Sequence, residues 1–427
     1  MKTLTVFEHS FITVSGDVYE GQLTPNEAEA LDRAQKSMGA NAFTWVGRRK
    51  LKAAQFVGII ATQGVRLEIL PKIEKSETIE TRGTLMKMVG AAYSIPIYDG
   101  EITLLNSQDK DLIEILILIF ARRLINEVRK GITRHYCREK ADLSRLRGKL
   151  DVTRQFTKFA AMPQFLACEF DEFSADNSLN RLLACATALL IRRTNVASTQ
   201  RLLSEIDAHF SDVAPVSVQQ ALDENIRLDR KDLRWGPCAR LARLILNSLY
   251  QTVHGGKQEG VALLFDMNKL FEAYVTRIAQ NALRPLGYTV LAQKPQRALV
   301  RNSSGQRAFF TKPDIYIQGH DQVIIVDTKW KSLDRSKEGN FGIMQADAYQ
   351  MHGYARVYEA SSTVLLFPKM NEQQGELASW TFENSNTQLR LATIDILNEE
   401  KMAEILIALV ESSSDFNDEM ALNTQLG

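Results

Sequence analysis

Residues 312–331 read KPDIYIQGHDQVIIVDTKWK. Two runs rich in β-branched and aromatic residues, IYI and QVIIV, flank a Gly-His-Asp turn. That pattern predicts a tight hairpin whose second strand is buried. Strand side chains alternate between faces, so Asp327 and Lys329 share one face and Thr328 takes the other. Asp314, just before the first strand, lies near the same end of the hairpin. A carboxylate and an ammonium so placed admit two readings. They are a strand-end ion pair, which contributes little, or part of a site that holds a metal and a water over a phosphate.

Phosphodiester cleavage requires such convergence. Two carboxylates hold a hard cation such as Mg2+, which keeps several waters and binds phosphate oxygens. The cation lowers the pKa of a bound water, and a neighbouring ammonium orients that water or offsets charge in the transition state. Pro-Asp, about a dozen residues and then Asp-x-Lys is the PD-(D/E)xK nuclease signature. Asp-x-Lys alone is common, so flanking residues decide its weight. Downstream, QADAYQMHGYARVY (Gln345–Tyr358) has helical periodicity and places Gln345 and Tyr349 on one face. Upstream, FDMNKLFEAYV (Phe265–Val275) is an amphipathic helix with Glu272 on its flank. A Q-x-x-x-Y pair after Asp-x-Lys and an acid on a preceding helix are features of RecB-like nucleases. There the acid completes the metal shell and the polar pair supports the site.

The chain has 427 residues and a formal net charge of +1, so nucleic-acid binding must come from local basic patches. The four cysteines are scattered without a C-x-x-C, which argues against a structural zinc, an iron–sulfur cluster or a disulfide framework. The histidines show no metal-ligand spacing. No long apolar leader opens the chain, and the longest apolar stretch, LIEILILIF (Leu112–Phe120), is too short for a bilayer. A cytoplasmic protein without a membrane contact is expected.

The chain reads as an α+β multidomain protein. A β-rich N-terminal domain (1–105) precedes a helical middle or stalk region (106–256) interrupted by a basic loop, Arg145–Lys158. A C-terminal α/β nuclease domain with a mixed sheet (257–427) follows, after a linker at His254-Gly255-Gly256. In the first domain Thr24-Pro25 opens a helix ending at Gly39, and a turn at Gln63-Gly64 joins two strands. In the second a long helix begins at an N-cap Ser107.

The ordered set LLFDMNKLFEAYV, KPDIYI, IIVDTKWK, ADAYQMHGYA and VLLFPK resembles the McrC family. These are nuclease subunits of McrBC-type, modification-dependent (5-methylcytosine) restriction systems. QFVGIIATQGVRLEILPKIE and LRGKLDVTRQF extend the likeness into the N-terminal half. The resemblance implies an endonuclease of antiviral defence that cuts double-stranded, methylated DNA with Mg2+ or Mn2+. It implies activation by an McrB-like AAA+ GTPase hexamer whose GTP hydrolysis the chain stimulates in turn. GTP would bind the partner, and this sequence has no G-x-x-x-x-G-K-[ST]. Residue by residue, the resemblance makes Asp314, Asp327 and Glu272 the metal ligands and Lys329 the catalytic lysine. Gln345 and Tyr349 become the supporting pair.

Lys331 and His352 are candidate DNA contacts, against the plainer readings of a snorkelling lysine and a packed or solvated histidine. Arg48, Arg49 and Lys50, in WVGRRKLKAAQ, form a candidate hairpin for contact with the partner ring, against a solvated loop. Duplex cleavage needs two sites, so dimerisation through or near the nuclease domain is expected. Two rival functions remain: a non-catalytic activator and DNA clamp of the ring, and a stand-alone RecB-like repair nuclease.

Overall fold

The computed structural model describes residues 2–16, 21–37, 41–62, 64–73, 78–98, 100, 112–162, 164–250, 261–334, 339–369 and 374–424. Ser107, Gly39, Gln63 and the linker 254–256, singled out above, lie outside them. The chain divides into two compact units, 1–107 with 264–427 and 108–263. Residues 1–105 and most of 257–427, expected as separate domains, fall in the same unit.

One sheet has the order Lys2–Phe7, Val65–Leu70, Phe56–Ala61, Val261–Asp266, the last strand entering the first unit at Leu264. The antiparallel pair Phe56–Ala61 and Val65–Leu70 is buried along nearly its whole length, which explains its near-continuous apolar sequence. Glu68 is fully buried within it and satisfied by Arg82 at 2.6 Å and by Thr5 at 2.9 Å. The helix Pro25–Ser37 begins with a reciprocal cap. Thr24 N–H donates to Glu27 Oε2 at 2.8 Å, and Glu27 N–H donates to Thr24 Oγ1 at 3.3 Å. A smaller sheet contains the expected basic hairpin, with Phe43–Trp45 antiparallel to Lys50–Ala53. Arg48, Arg49 and Lys50 are all exposed at its turn.

The C-terminal part of this unit is built on a six-stranded mixed sheet. Its order is Thr289–Ala292, Ile315–Gly319, Gln322–Thr328, Ser362–Pro368, Gln388–Ile394, Gly375–Thr381. The hairpin predicted at 312–331 forms, with Ile315 opposite Val326 and Gly319 opposite Gln322. His320 and Asp321 take positive φ at its turn, as the twist of a two-residue hairpin loop demands. Gln322–Thr328 is parallel to Ser362–Pro368, and the helix Gln345–Tyr358 makes the crossover between them. The helix Met267–Leu283 buries Leu270, Phe271, Tyr274 and Ile278. It starts two residues later than Phe265, where the periodicity placed it, because Val261–Asp266 is a strand and Asp266 caps the helix.

The second unit has the expected helices, among them Leu112–Val128, Ser178–Ile191, Ala197–Ala208 and Gly236–Tyr250. It also has a three-stranded sheet that the sequence did not announce, His135–Leu143 with Leu166–Ser174 and Lys149–Leu150. Much of the expected basic loop is ordered by this sheet. Val152–Lys158 is a helix capped by Asp151, and Arg154 and Lys158 both pair with Asp142. Among the described residues no helix is long and apolar enough to cross a membrane.

Candidate active site

The site forms where the strand Gln322–Thr328 ends. Asp327 is buried, 1% exposed, at the last turn of pairing before the chain leaves the sheet. Its Oδ2 lies 2.6 Å from Lys329 Nζ, and its Oδ1 accepts from Gln350 Nε2 at 3.2 Å. Lys329 also lies 3.6 Å from Asp347 and donates to Gln350 Oε1 at 3.2 Å. Asp327 and Lys329 thus share a face, as alternation requires.

Thr328 departs from the expectation. Its N–H and Oγ1 both donate to Asp314 Oδ2 at 2.8 Å. Strand pairing ends at Thr328, so the pleat no longer fixes its direction, and the hydroxyl turns to hold Asp314.

Glu272, on the helix Met267–Leu283, completes the group. Its Oε1 accepts from Gln293 Nε2 at 2.7 Å. Burial, reinforced by the charges of Asp314 and Asp327, pushes its carboxyl up to about 7 against the opposing pull of Gln293 and Lys312. Burial and the Asp314 charge likewise push Asp327 up to about 6, although Lys329 opposes them. Mutual repulsion of this kind means that the carboxylates share one field. Burial draws the Lys329 ammonium down, but Asp327, Asp347 and Asp314 outweigh it and hold the group above the ordinary lysine range. Lys329 is therefore a cation at neutral pH.

The structure chooses between two Q-x-x-x-Y pairs on one helix. Gln345 and Tyr349 are exposed and bond to each other at 2.5 Å. Gln350 and Tyr354 are the pair at the site. Gln350 Nε2 donates to Asp327 and, at 2.9 Å, to Tyr354 Oη, and Tyr354 donates to the carbonyl of Lys312 at 3.0 Å. The helix buries Asp347, Met351, Tyr354, Ala355 and Tyr358, spaced as one face. That stripe contains Tyr354, and Gln350 lies beside it, three residues after Asp347 and four before Tyr354.

Two other candidates have partners within the fold. Lys331 Nζ lies 2.6 Å from the buried Asp347, and the His352 ring packs 5.2 Å from Phe382. Sequence reasoning also missed Gln293 and Asp347. Behind the site Trp330 is buried, edge-on to Phe271 at 5.4 Å, and donates to Glu8 Oε1 at 2.7 Å.

The donors Glu272, Asp314 and Asp327 suit a hard divalent cation. They are oxygen donors, and burial together with the neighbouring negative charge raises the carboxyls of Glu272 and Asp327, a cost that such a cation would relieve. A second acidic group lies in the 108–263 unit. His135, Asp229 and Asp232 bring ligand atoms within 4.8 Å of one another and could hold a divalent cation. Thr133 Oγ1 donates to the buried Asp232 Oδ1 at 2.7 Å, and Asp232 Oδ2 lies 3.0 Å from His135 Nε2. His135 is more than ninety residues from Asp229 and Asp232, so no ligand spacing was visible.

A family model described as the McrBC 5-methylcytosine restriction system component matches residues 51–368. The chain belongs to the McrBC family. The matched span of this McrBC-family protein contains Glu272, Asp314, Asp327, Lys329, Gln350 and Tyr354. A search of curated proteins finds no match. Among solved structures the fold is similar to a half-complex from a tetradecameric assembly of Thermococcus gammatolerans McrB AAA+ hexamers with bound McrC. That match has a TM-score of 0.69 at 21% identity and covers 96% of this chain and all of the other. A cryo-EM structure of the Thermococcus gammatolerans McrBC complex matches with a TM-score of 0.51 at 24% identity, over 66% of this chain and 88% of that one.

Proposed function

We propose that this McrBC-family chain is the DNA endonuclease subunit of a modification-dependent restriction complex. The observation that carries the reading is the Asp327–Lys329 pair, 2.6 Å apart and set against Asp314 and Glu272 at the end of a central strand. Glu272, Asp314 and Asp327 would hold Mg2+ or Mn2+. When bound, such a cation supplies an activated water and offsets charge on the phosphate. Lys329, a cation at neutral pH, orients the nucleophile and offsets charge on the scissile phosphate. Gln350 spans Asp327 and Lys329 and fixes their spacing, and Tyr354 braces Gln350 from behind.

The partner in this reading is an McrB-like AAA+ GTPase hexamer that binds the GTP, and the substrate is double-stranded methylated DNA. The fold likeness to a chain assembled with McrB hexamers supports the partner. Cutting both strands requires two such centres, hence two copies of the chain in the active assembly.

The test is cleavage of methylated duplex by Asp327→Asn and Lys329→Ala chains with the partner, GTP and Mg2+. Both variants should lose at least about 100-fold in rate, the scale of a lost charge-stabilising group, while assembly with the ring is retained. Wild-type cleavage by either variant sinks the assignment. Robust cutting by the wild-type chain alone would favour a self-sufficient repair nuclease.

A further inference from the structure

Lys294–Lys312 leaves the site and returns to it as a ribbon. Arg297–Arg301 pairs antiparallel with Arg307–Thr311, from Arg297 opposite Thr311 to Arg301 opposite Arg307. Gly305 at positive φ helps to close the turn, where Asn302 N–H donates to the Gln306 carbonyl at 2.9 Å. Five residues per strand give a reach of roughly 17 Å.

The ribbon is rooted in the carboxylate group at both feet. At one, Gln293 donates from its backbone N–H to the Asp314 carbonyl at 2.9 Å and from its side chain to Glu272. At the other, Lys312 leads through Pro313 into Asp314 itself. The site helix fastens both feet. Tyr354 donates to the Lys312 carbonyl, and Tyr358 Oη lies 2.6 Å from the Pro295 carbonyl and 3.1 Å from that of Thr311. Whatever the ribbon grips is therefore held in register with Glu272, Asp314 and Asp327.

Its surface has one sign. Lys294, Arg297, Arg301, Arg307 and Lys312 lie in a segment without Asp or Glu, in a chain of net charge +1. Among the described residues none of the five forms an ion pair. Arg297 is committed locally, donating to the Val357 carbonyl at 3.1 Å and lying over the Tyr358 ring. Lys294, Arg301 and Arg307 are exposed. Beside them Phe309 and Phe310 are 75% and 59% exposed, with Leu299 and Val300 also open. Phe309 sits at φ +54°, a left-handed conformation that a bulky side chain rarely adopts and that costs free energy.

We propose that the 294–312 ribbon is a DNA-groove finger that seats the duplex against the nuclease centre. A two-stranded ribbon fits the major groove of B-DNA. Arg301 and Arg307 would neutralise flanking phosphates, while Phe309 and Phe310 meet apolar base edges. A second copy of the chain is the poorer occupant, because it would bring the same unpaired cations to a symmetric contact. This inference rests on the endonuclease reading.

The experiment is duplex binding by the full chain in EDTA, followed by fluorescence anisotropy across a salt series, so that no cleavage intervenes. Arg301→Ala/Arg307→Ala should weaken binding at least tenfold near 0.1 M salt. It should also flatten the log–log salt slope by about 1.8, at about 0.9 per lost phosphate contact. Phe309→Ser/Phe310→Ser should weaken binding with the slope unchanged. Unaltered binding in variants with wild-type melting curves overturns the proposal. So does a wild-type chain without salt-dependent binding, or loss of self-association in sedimentation with DNA binding intact. Wild-type cleavage in the complex is measured in parallel. Binding through the ribbon without any cutting would sink the nuclease reading and leave the finger standing.

Discussion

Glu8 shows how a single side chain far away in sequence serves the site. It is 2% exposed, and its Oε1 accepts from Trp330 Nε1 at 2.7 Å and from the Lys72 N–H at 2.9 Å, while the buried Oε2 has no hydrogen bond. Burial pushes the carboxyl from its ordinary 4.5 up to about 7, although both hydrogen bonds and the Lys72 charge oppose the shift. The folded chain thus binds this proton more tightly than the unfolded chain. Its contribution to stability is greatest below pH 4.5, falls as pH rises toward about 7 and is level above that. Glu8→Gln keeps an acceptor for Trp330 and Lys72 but removes the charge. Relative to wild type it should gain stability across that window, by up to about 3 kcal/mol at pH 8. Glu8→Ala removes the charge as well but leaves two buried donors unmet, so it should be about 1–3 kcal/mol less stable than Glu8→Gln at any pH. Urea unfolding at pH 5 and pH 8 checks both. A Gln variant that tracks wild type at both pH values would show that the buried carboxyl carries no such penalty.

At the scale of elements, the helix Gln345–Tyr358 decides which polar pair works. The two Q-x-x-x-Y pairs are offset by five residues, roughly 140° around the helix, so one can face Asp327 only if the other faces solvent. Gln350→Ala and Tyr354→Phe should therefore lower cleavage by the complex about 10- to 100-fold through loosened positioning. Gln345→Ala and Tyr349→Phe should change it less than about threefold. Equal losses in both pairs would mean that the exposed pair also engages the reaction. The hairpin at 312–331 was readable because its apolar alternation matches a real buried face, and Asp327 and Lys329 followed from it. The helix was readable as a helix, but choosing the pair required its buried stripe, Asp347–Met351–Tyr354–Tyr358. The strands His135–Leu143 and Leu166–Ser174 gave a weaker signal. Much of HYCREKADL is exposed on both faces, so it has little apolar period. Ion pairs such as Arg138–Glu169 at 3.2 Å run across the pair instead.

For the whole molecule, the order of segments was more informative than any one of them. The matched family span, 51–368, begins in the β-rich N-terminal part and ends on the strand Ser362–Pro368. What the order could not show is that residues near both ends of the chain share one compact unit, because strand partners such as Phe56–Ala61 and Val261–Asp266 lie some two hundred residues apart. That unit presents the carboxylate site and, on its N-terminal part, the exposed turn of Arg48, Arg49 and Lys50. The hairpin is stiffened by Lys50 and Lys52, which lie 6.0 and 5.9 Å from the Phe11 ring centroid. A fixed turn with guanidinium groups is suited to meet a partner's nucleotide phosphates, where one arginine can raise phosphoryl transfer by orders of magnitude. Arg48→Ala/Arg49→Ala should therefore lower, by at least about tenfold, the GTP hydrolysis that we propose the chain stimulates in an McrB-like ring. The carboxylate site is untouched by this change, so the variant's thermal melt and its DNA binding in EDTA should match wild type. Steady-state GTP turnover at saturating chain concentration is the measurement. Full stimulation by the double variant would remove this hairpin from the ring interface.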